Sequence, residues 1–176
     1  MAELGNINHL RVVKVVDFGV YLDGGGLGEI LLPSRYVPEA CQIDQELKVF
    51  VYLDSDEMII ATTVMPHAVV GECAYLKVVD VNHYGGFLDW GLAKDLLVPY
   101  SEQIKPLTVG DSYVFHVFLD EDTDRIAASA RLNDFLSEEA EGIEIGEKVD
   151  LLISARTDMG YKAVINQRLL GLIFNN

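Results

Sequence analysis

The sequence predicts an all-β protein built from tandem five-stranded barrels, and three observations carry that expectation. Apolar residues crowd into short runs, the chain repeats itself at a fixed offset, and each repeat contains five such runs. With 176 residues and 50% hydrophobic side chains, the chain can bury one ordinary core or two small ones. A run such as Leu47-Lys48-Val49-Phe50-Val51-Tyr52-Leu53 is shorter than most helices and rich in β-branched and aromatic residues, which suit a pleated surface.

The repeat places the strands. Residue n falls on residue n + 66 without a gap from Phe18 to Thr63: FGVYLDGG meets YGGFLDWG, EILLPS meets DLLVPY, VFVYLD meets FHVFLD, and IATT meets IAAS. Upstream, KVVD at Lys14–Asp17 matches KVVD at Lys77–Asp80, which predicts a turn three residues longer in the second repeat, at Val81-Asn82-His83. First-repeat strands are expected near 9–17, 19–24, 28–33, 46–54 and 58–64, and second-repeat strands near 74–82, 85–90, 95–99, 112–120 and 125–130. Pro33 and Pro99 end the third strand of each repeat, and Pro38 and Pro106 sit in the longer connection before the fourth, where a missing N–H breaks no ladder. Domains are expected at 1–66 and 67–131, followed by a helical linker over 132–145, where Leu, Glu and Ala precede Gly142. From Gly146 the pattern restarts as KVDLLISARTD, MGYKAVIN and LLGLIF, the first half of a third barrel over 146–176. Three strands alone leave unpaired edges, so the segment reads as truncated or as completed by a partner.

Composition removes several functional classes. Apolar stretches run fewer than about ten residues where a membrane helix needs roughly twenty, and no secretory signal opens the chain, which points to the cytoplasm. Cys41 and Cys73 lack the close spacing of zinc ligands and read as reduced core thiols. His9, His67, His83 and His116 are scattered, with no carboxylate at metal-ligand spacing and no nucleophile to serve, so neither a metal site nor an enzyme is expected, and no cofactor. Gly24–Gly26 does not continue into the Lys-Ser/Thr of a phosphate loop and reads as a turn. Asp120-Glu121-Asp122-Asp124 lacks the Gly and closing Glu of a calcium loop and reads as a solvated hairpin tip.

The run KVVDFGVYLDGGGLGEILLPS resembles the opening of an S1 domain, the RNA-binding barrel of the OB-fold kind, and EILLPSRYVPE, VFVYLDSDEMIIATT and GGFLDWGLAKDLLVPYSEQ are similar to the conserved virulence factor B (CvfB, YitL) family. That resemblance implies three S1 domains followed by a winged helix, and a bacterial RNA-binding regulator. It also implies contact positions for single-stranded RNA: two aromatics on the second strand, a His on the third, and an Asp and an Arg around the fourth and fifth. Carried over, these are Phe18, Tyr21 and Asp54 in the first repeat, with Leu32 at the His position and Met58 or Ile59 at the Arg position. In the second repeat they are Tyr84, Phe87, Asp120 and Arg125, with Val98 at the His position.

Flat rings stack on unpaired bases, and a guanidinium meets phosphate or stacks in turn. On that count the second repeat is the better equipped, with Lys77, Lys94 and Lys105 nearby but offset by Asp80, Asp95 and Glu102. Phe18 and Tyr21 are three apart and should face opposite sides of a strand, unless a bulge at Gly19, or at Gly85 in the second repeat, turns both outward. Asp54 and Asp120 serve equally as turn starters, and Trp90 either stacks or packs the barrel rim. The charge balance favours a different partner. Asp and Glu total 28 against 13 Lys and Arg, and residues 143–176 hold four of each, so the whole surplus lies before Ile143. An acidic scaffold docking on a basic protein, such as a ribosomal or RNA polymerase component, is the alternative to RNA.

Overall fold

The structure, a computed structural model, describes residues 1–137, 148–157 and 160–174. Strands β1 (Ile7–Val16), β2 (Gly19–Asp23), β3 (Glu29–Pro33), β4 (Glu46–Leu53) and β5 (Ile59–Thr62) close a barrel in the order β1-β2-β3-β5-β4. Strands β6 (Cys73–Asn82), β7 (Gly85–Asp89), β8 (Leu96–Pro99), β9 (Ser112–Asp120) and β10 (Arg125–Ser129) close a second barrel in the same cyclic order. A third sheet follows, β11 (Leu151–Thr157), β12 (Gly160–Ile165) and β13 (Leu169–Phe174), antiparallel throughout. The chain is therefore all-β, with two closed five-stranded barrels and a partial third sheet, as the repeat predicts.

Strand alternation builds the cores. In the first barrel Leu10, Val12, Val20, Leu22, Ile30, Leu32, Val49, Val51 and Ala61 point inward and are buried. Fully burying one such side chain contributes about 1.5–3 kcal/mol, so this set outweighs any surface contact in holding the barrel. At the offset of 66 the second barrel keeps the pattern but redistributes volume: Val20 becomes Gly86 and Val49 becomes Phe115, which is completely buried. A Cβ at Gly86 would lie 2.7 Å from Leu107 Cδ1, so the space left by the missing side chain is taken by the loop before β9.

Pairing corrects the longer turn expected in the second repeat. Lys14 lies opposite Tyr21 and Val16 opposite Gly19, while Asp80 lies opposite Phe87 and Asn82 opposite Gly85. The offset of 66 thus runs unbroken back through β1 and β6, and both strands shift register at the same place, between Val12 and Lys14 and between Val78 and Asp80. The two KVVD strings are a coincidence of composition; the two-residue turns Asp17-Phe18 and His83-Tyr84 are equivalent.

Part of the helical linker expected over 132–145 lies outside the described residues. Its described portion is a 3-10 turn at Leu132–Asp134 and an extended Ser137. The reason is tertiary. Leu132 and Leu136 are drawn into an apolar cluster with Cys73, Val114, Val164 and Leu170, and the Ser137 backbone donates to Arg168 O and accepts from Leu170 N, at 3.0 and 2.7 Å. Helical bonds reach Leu136, whose N–H donates to Leu132 O at 2.9 Å, and the Ser137 backbone is then taken up by its neighbouring strand.

By its contacts the chain divides into two compact units. The first is Met1–Val70 with Gly91–Lys94 and Leu119–Ile126; the second is Gly71–Trp90, Asp95–Phe118 and Ala127–Asn176.

Candidate nucleic-acid interface

The aromatic step of each barrel depends on one glycine. Gly19 has φ +152° and Gly85 φ +146°, and a Cβ at either would sit 2.1 or 2.2 Å from the carbonyl oxygen of Leu32 or Val98 on the neighbouring strand. No side chain fits there, so the strand enters the barrel directly after the turn and leaves the preceding aromatic outside. Phe18 is 57% exposed and Tyr84 66%. The register shift lies in the partner strand, between Val12 and Lys14, rather than at Gly19 itself; Phe18 stands outside because it belongs to the turn before β2, and Tyr21 by alternation with buried Val20 and Leu22.

In the first barrel the two rings meet. Phe18 and Tyr21 pack edge to face with centroids 6.3 Å apart, and Lys14 holds its ammonium 5.4 Å from the Tyr21 centroid. In the second barrel Phe87 is half-buried and Tyr84 lies against His83, with centroids 4.0 Å apart. Tyr100, which is exposed, donates its hydroxyl to Asn82 O beside the same turn. Lys14 and Asp80 share one register position, which the KVVD match hides at the level of sequence.

Leu32 and Val98, the positions carried over for a His, are completely buried. Period-two alternation explains this: Leu31 and Leu97, one residue earlier, lie opposite Tyr21 and Phe87 on the outward face.

Asp54 and Asp120 are turn closers by geometry. Asp54 Oδ1 accepts from the amides of Asp56 and Met58 at 2.9 and 3.0 Å, and Asp120 Oδ1 from Asp122 at 3.0 Å. Arg125 forms an ion pair with Glu57, both side chains being more than half exposed. Within the division of the chain, Asp120 and Arg125 belong to the first unit and Tyr84 and Phe87 to the second. Lys94, a candidate helper cation, donates to the backbone oxygens of Leu53 and Asp54, each at 3.0 Å, and burial lowers its pKa. Its charge is committed to the protein. Trp90 is buried, which favours packing over stacking.

The outward face of the second barrel is acidic instead. Burial first, and then the charges of Asp89 and Asp80, raise the pKa of Asp95.

Neither cysteine is in a disulfide. Burial, with Glu72 nearby, pushes the Cys73 thiol up to about 12, so it stays protonated and unreactive. Among the described residues no three His, Cys, Asp or Glu side chains converge as metal ligands, and no helix is long and apolar enough to cross a membrane.

A family model described as an S1 domain matches residues 4–64, the first barrel. YitL of Bacillus subtilis is 37% identical over 98 residues, covering 55% of this chain and 32% of that protein. Conserved virulence factor B of Staphylococcus saprophyticus is 26% identical over 133 residues, covering 72% of this chain and 44% of its relative. The chain thus spans less than half the length of either curated relative. A crystal structure of a multidomain protein with nucleic acid binding domains from Streptococcus pneumoniae superposes with a TM-score of 0.62 at 20% identity, over 97% of this chain and 62% of that one. That likeness concerns the fold. The first barrel thus matches the S1 domain model, and the chain is similar in sequence to YitL and conserved virulence factor B.

Proposed function

We propose that the chain binds single-stranded RNA on the outward aromatic faces of its S1 barrels and acts as a cytoplasmic adaptor in post-transcriptional control, without catalysis. The observation that supports this most is the exposed Phe18 ring held edge-on to Tyr21 with the Lys14 ammonium alongside. A large ring left in water contributes little to folding, while a base stacked on it gains about 1–3 kcal/mol. Lys14 adds a cation where the adjoining phosphate would pass. The nucleic acid binding domains named for the pneumococcal structure agree with this reading.

The second barrel supplies Tyr84 and Phe87, with His83 and Tyr100 extending the ring surface. Asp54 and Asp120 act by holding the hairpins closed. Arg125 reaches a phosphate by exchanging Glu57, and an exposed ion pair is worth only about 0–1 kcal/mol, so the exchange costs little. Anisotropy of a labelled oligouridylate tests the proposal: Phe18→Ala with Tyr21→Ala should weaken binding at least tenfold, and unchanged binding would refute the assignment of that face.

The acidic group Asp80, Asp89 and Asp95 favours a second reading for the second barrel, a dock for a basic protein. Capture of a purified basic ribosomal protein after nuclease treatment, lost on changing the three to Asn, would support that reading; capture that disappears with nuclease would leave RNA as the ligand.

A further inference from the structure

Within the second unit, one cleft of this acidic chain is lined mainly by cations. Lys105, Arg131 and Lys162 line a cleft of about 620 Å³ that lies wholly within the second unit, between the second barrel and the third sheet. Among the described lining residues Asp134 is the one carboxylate, so three cations face one anion in a chain that carries 13 against 28. The cleft falls within the size of ordinary ligand sites, about 300–1,000 Å³.

Its walls carry complementary chemistry. On the barrel side Lys105 holds its ammonium 5.8 Å from the centroid of Tyr113, whose hydroxyl oxygen accepts from Thr108 N at 3.2 Å and anchors the ring. Arg131 Nε donates to Asp134 Oδ2 at 3.0 Å, which neutralises that pair and leaves the two lysines to set the local charge. On the opposite wall the repeat itself supplies Lys162: β11 and β12 shift register between Ile153 and Ala155 and place Ala155 opposite Lys162, as Lys14 stands opposite Tyr21 and Asp80 opposite Phe87. The position that carries an aromatic ring in both barrels carries an ammonium here.

We propose that this cleft is a second nucleic-acid site, holding a phosphodiester of single-stranded RNA between Lys105 and Lys162 with an unpaired base against Tyr113. Cations on both walls and a ring on one match the two chemistries of a nucleotide within a strand. Glu102, whose charge also reaches Arg131, offsets part of the local field, and screening over about 8–10 Å limits the effect of carboxylates farther off at ordinary salt. The inference rests on the RNA-binding reading but uses none of the residues of the aromatic faces.

The test is anisotropy of a labelled oligouridylate against the full chain over a range of salt. Lys105→Gln with Lys162→Gln should bind roughly tenfold more weakly at low salt and flatten the slope of log affinity against log salt by about 0.7, the change for one phosphate no longer neutralised. A control of equal charge change, Lys48→Gln with Lys148→Gln, should leave both quantities near the original. Asp134→Asn should tighten binding two- to threefold, a gain that a misfolded chain cannot produce. Binding by the cleft variant equal to the original, or an equal loss in the control, overturns the proposal. Displacement of the oligonucleotide by inorganic phosphate as readily as by unlabelled strand also overturns it, by reducing the cleft to an anion hole. Loss of binding in Phe18→Ala with Tyr21→Ala alone would keep the aromatic face and discard the cleft, loss in the cleft variant alone would do the reverse, and no binding by the unaltered chain would end both.

Discussion

The two barrels share a strand order, a register shift and an offset of 66 residues, yet they present opposite charges at the same place. Opposite the second aromatic of the outward face the first barrel has Lys14 and the second has Asp80. One substitution at one register position reverses the charge beside the ring, while the core beneath keeps its inward pattern. Backbone and function are set by different faces of the same strands, and a repeat can preserve one while diverging in the other.

The largest expected effect probes what the barrels hold in common. Gly19→Ala and Gly85→Ala each force a Cβ into a carbonyl of the next strand, and each should cost about 3 kcal/mol or more in denaturant unfolding. Tolerance in one barrel alone would break the equivalence. Next comes the difference in binding: removing Phe18 and Tyr21 should weaken oligonucleotide affinity more than removing Tyr84 and Phe87, because the first pair works beside a cation. The comparison is sharpened by reversing the charge. Asp80→Lys should raise affinity roughly threefold to fivefold and Lys14→Glu lower it by a similar factor, as expected of exposed charges worth about 1 kcal/mol or less.

The smallest effect separates Phe50 from its equivalent His116. Phe50 stacks on Tyr52 at 5.9 Å, while His116 stacks on Phe135 at 4.3 Å, with Nδ1 3.5 Å from the Cys73 sulfur. Burial lowers the His116 pKa. The unfolded chain therefore takes up a proton more readily than the folded one, and stability falls as pH drops below about 6.5, the ordinary His value. His116→Phe should remove that acid-side loss, which calorimetry between neutral and mildly acid pH would register.

Much of this protein was legible in its residues. Short β-branched runs, prolines at strand ends and an ungapped repeat determine the thirteen strands of the described residues nearly to their ends, because alternation and turn chemistry are local. The glycines at 19 and 85 stood out as special positions, but the bulge expected there lies in the partner strands instead. What the sequence could not decide was which residues share a face across strands. The KVVD match misaligned Lys14, the carried-over His positions fell on buried Leu32 and Val98, and Arg125, a candidate for phosphate, found Glu57. The cationic cleft joins Lys105 to Lys162 across more than fifty residues of chain. Such partnerships belong to strand register and packing, which bring together side chains that no local pattern relates, and only the tertiary structure could settle them.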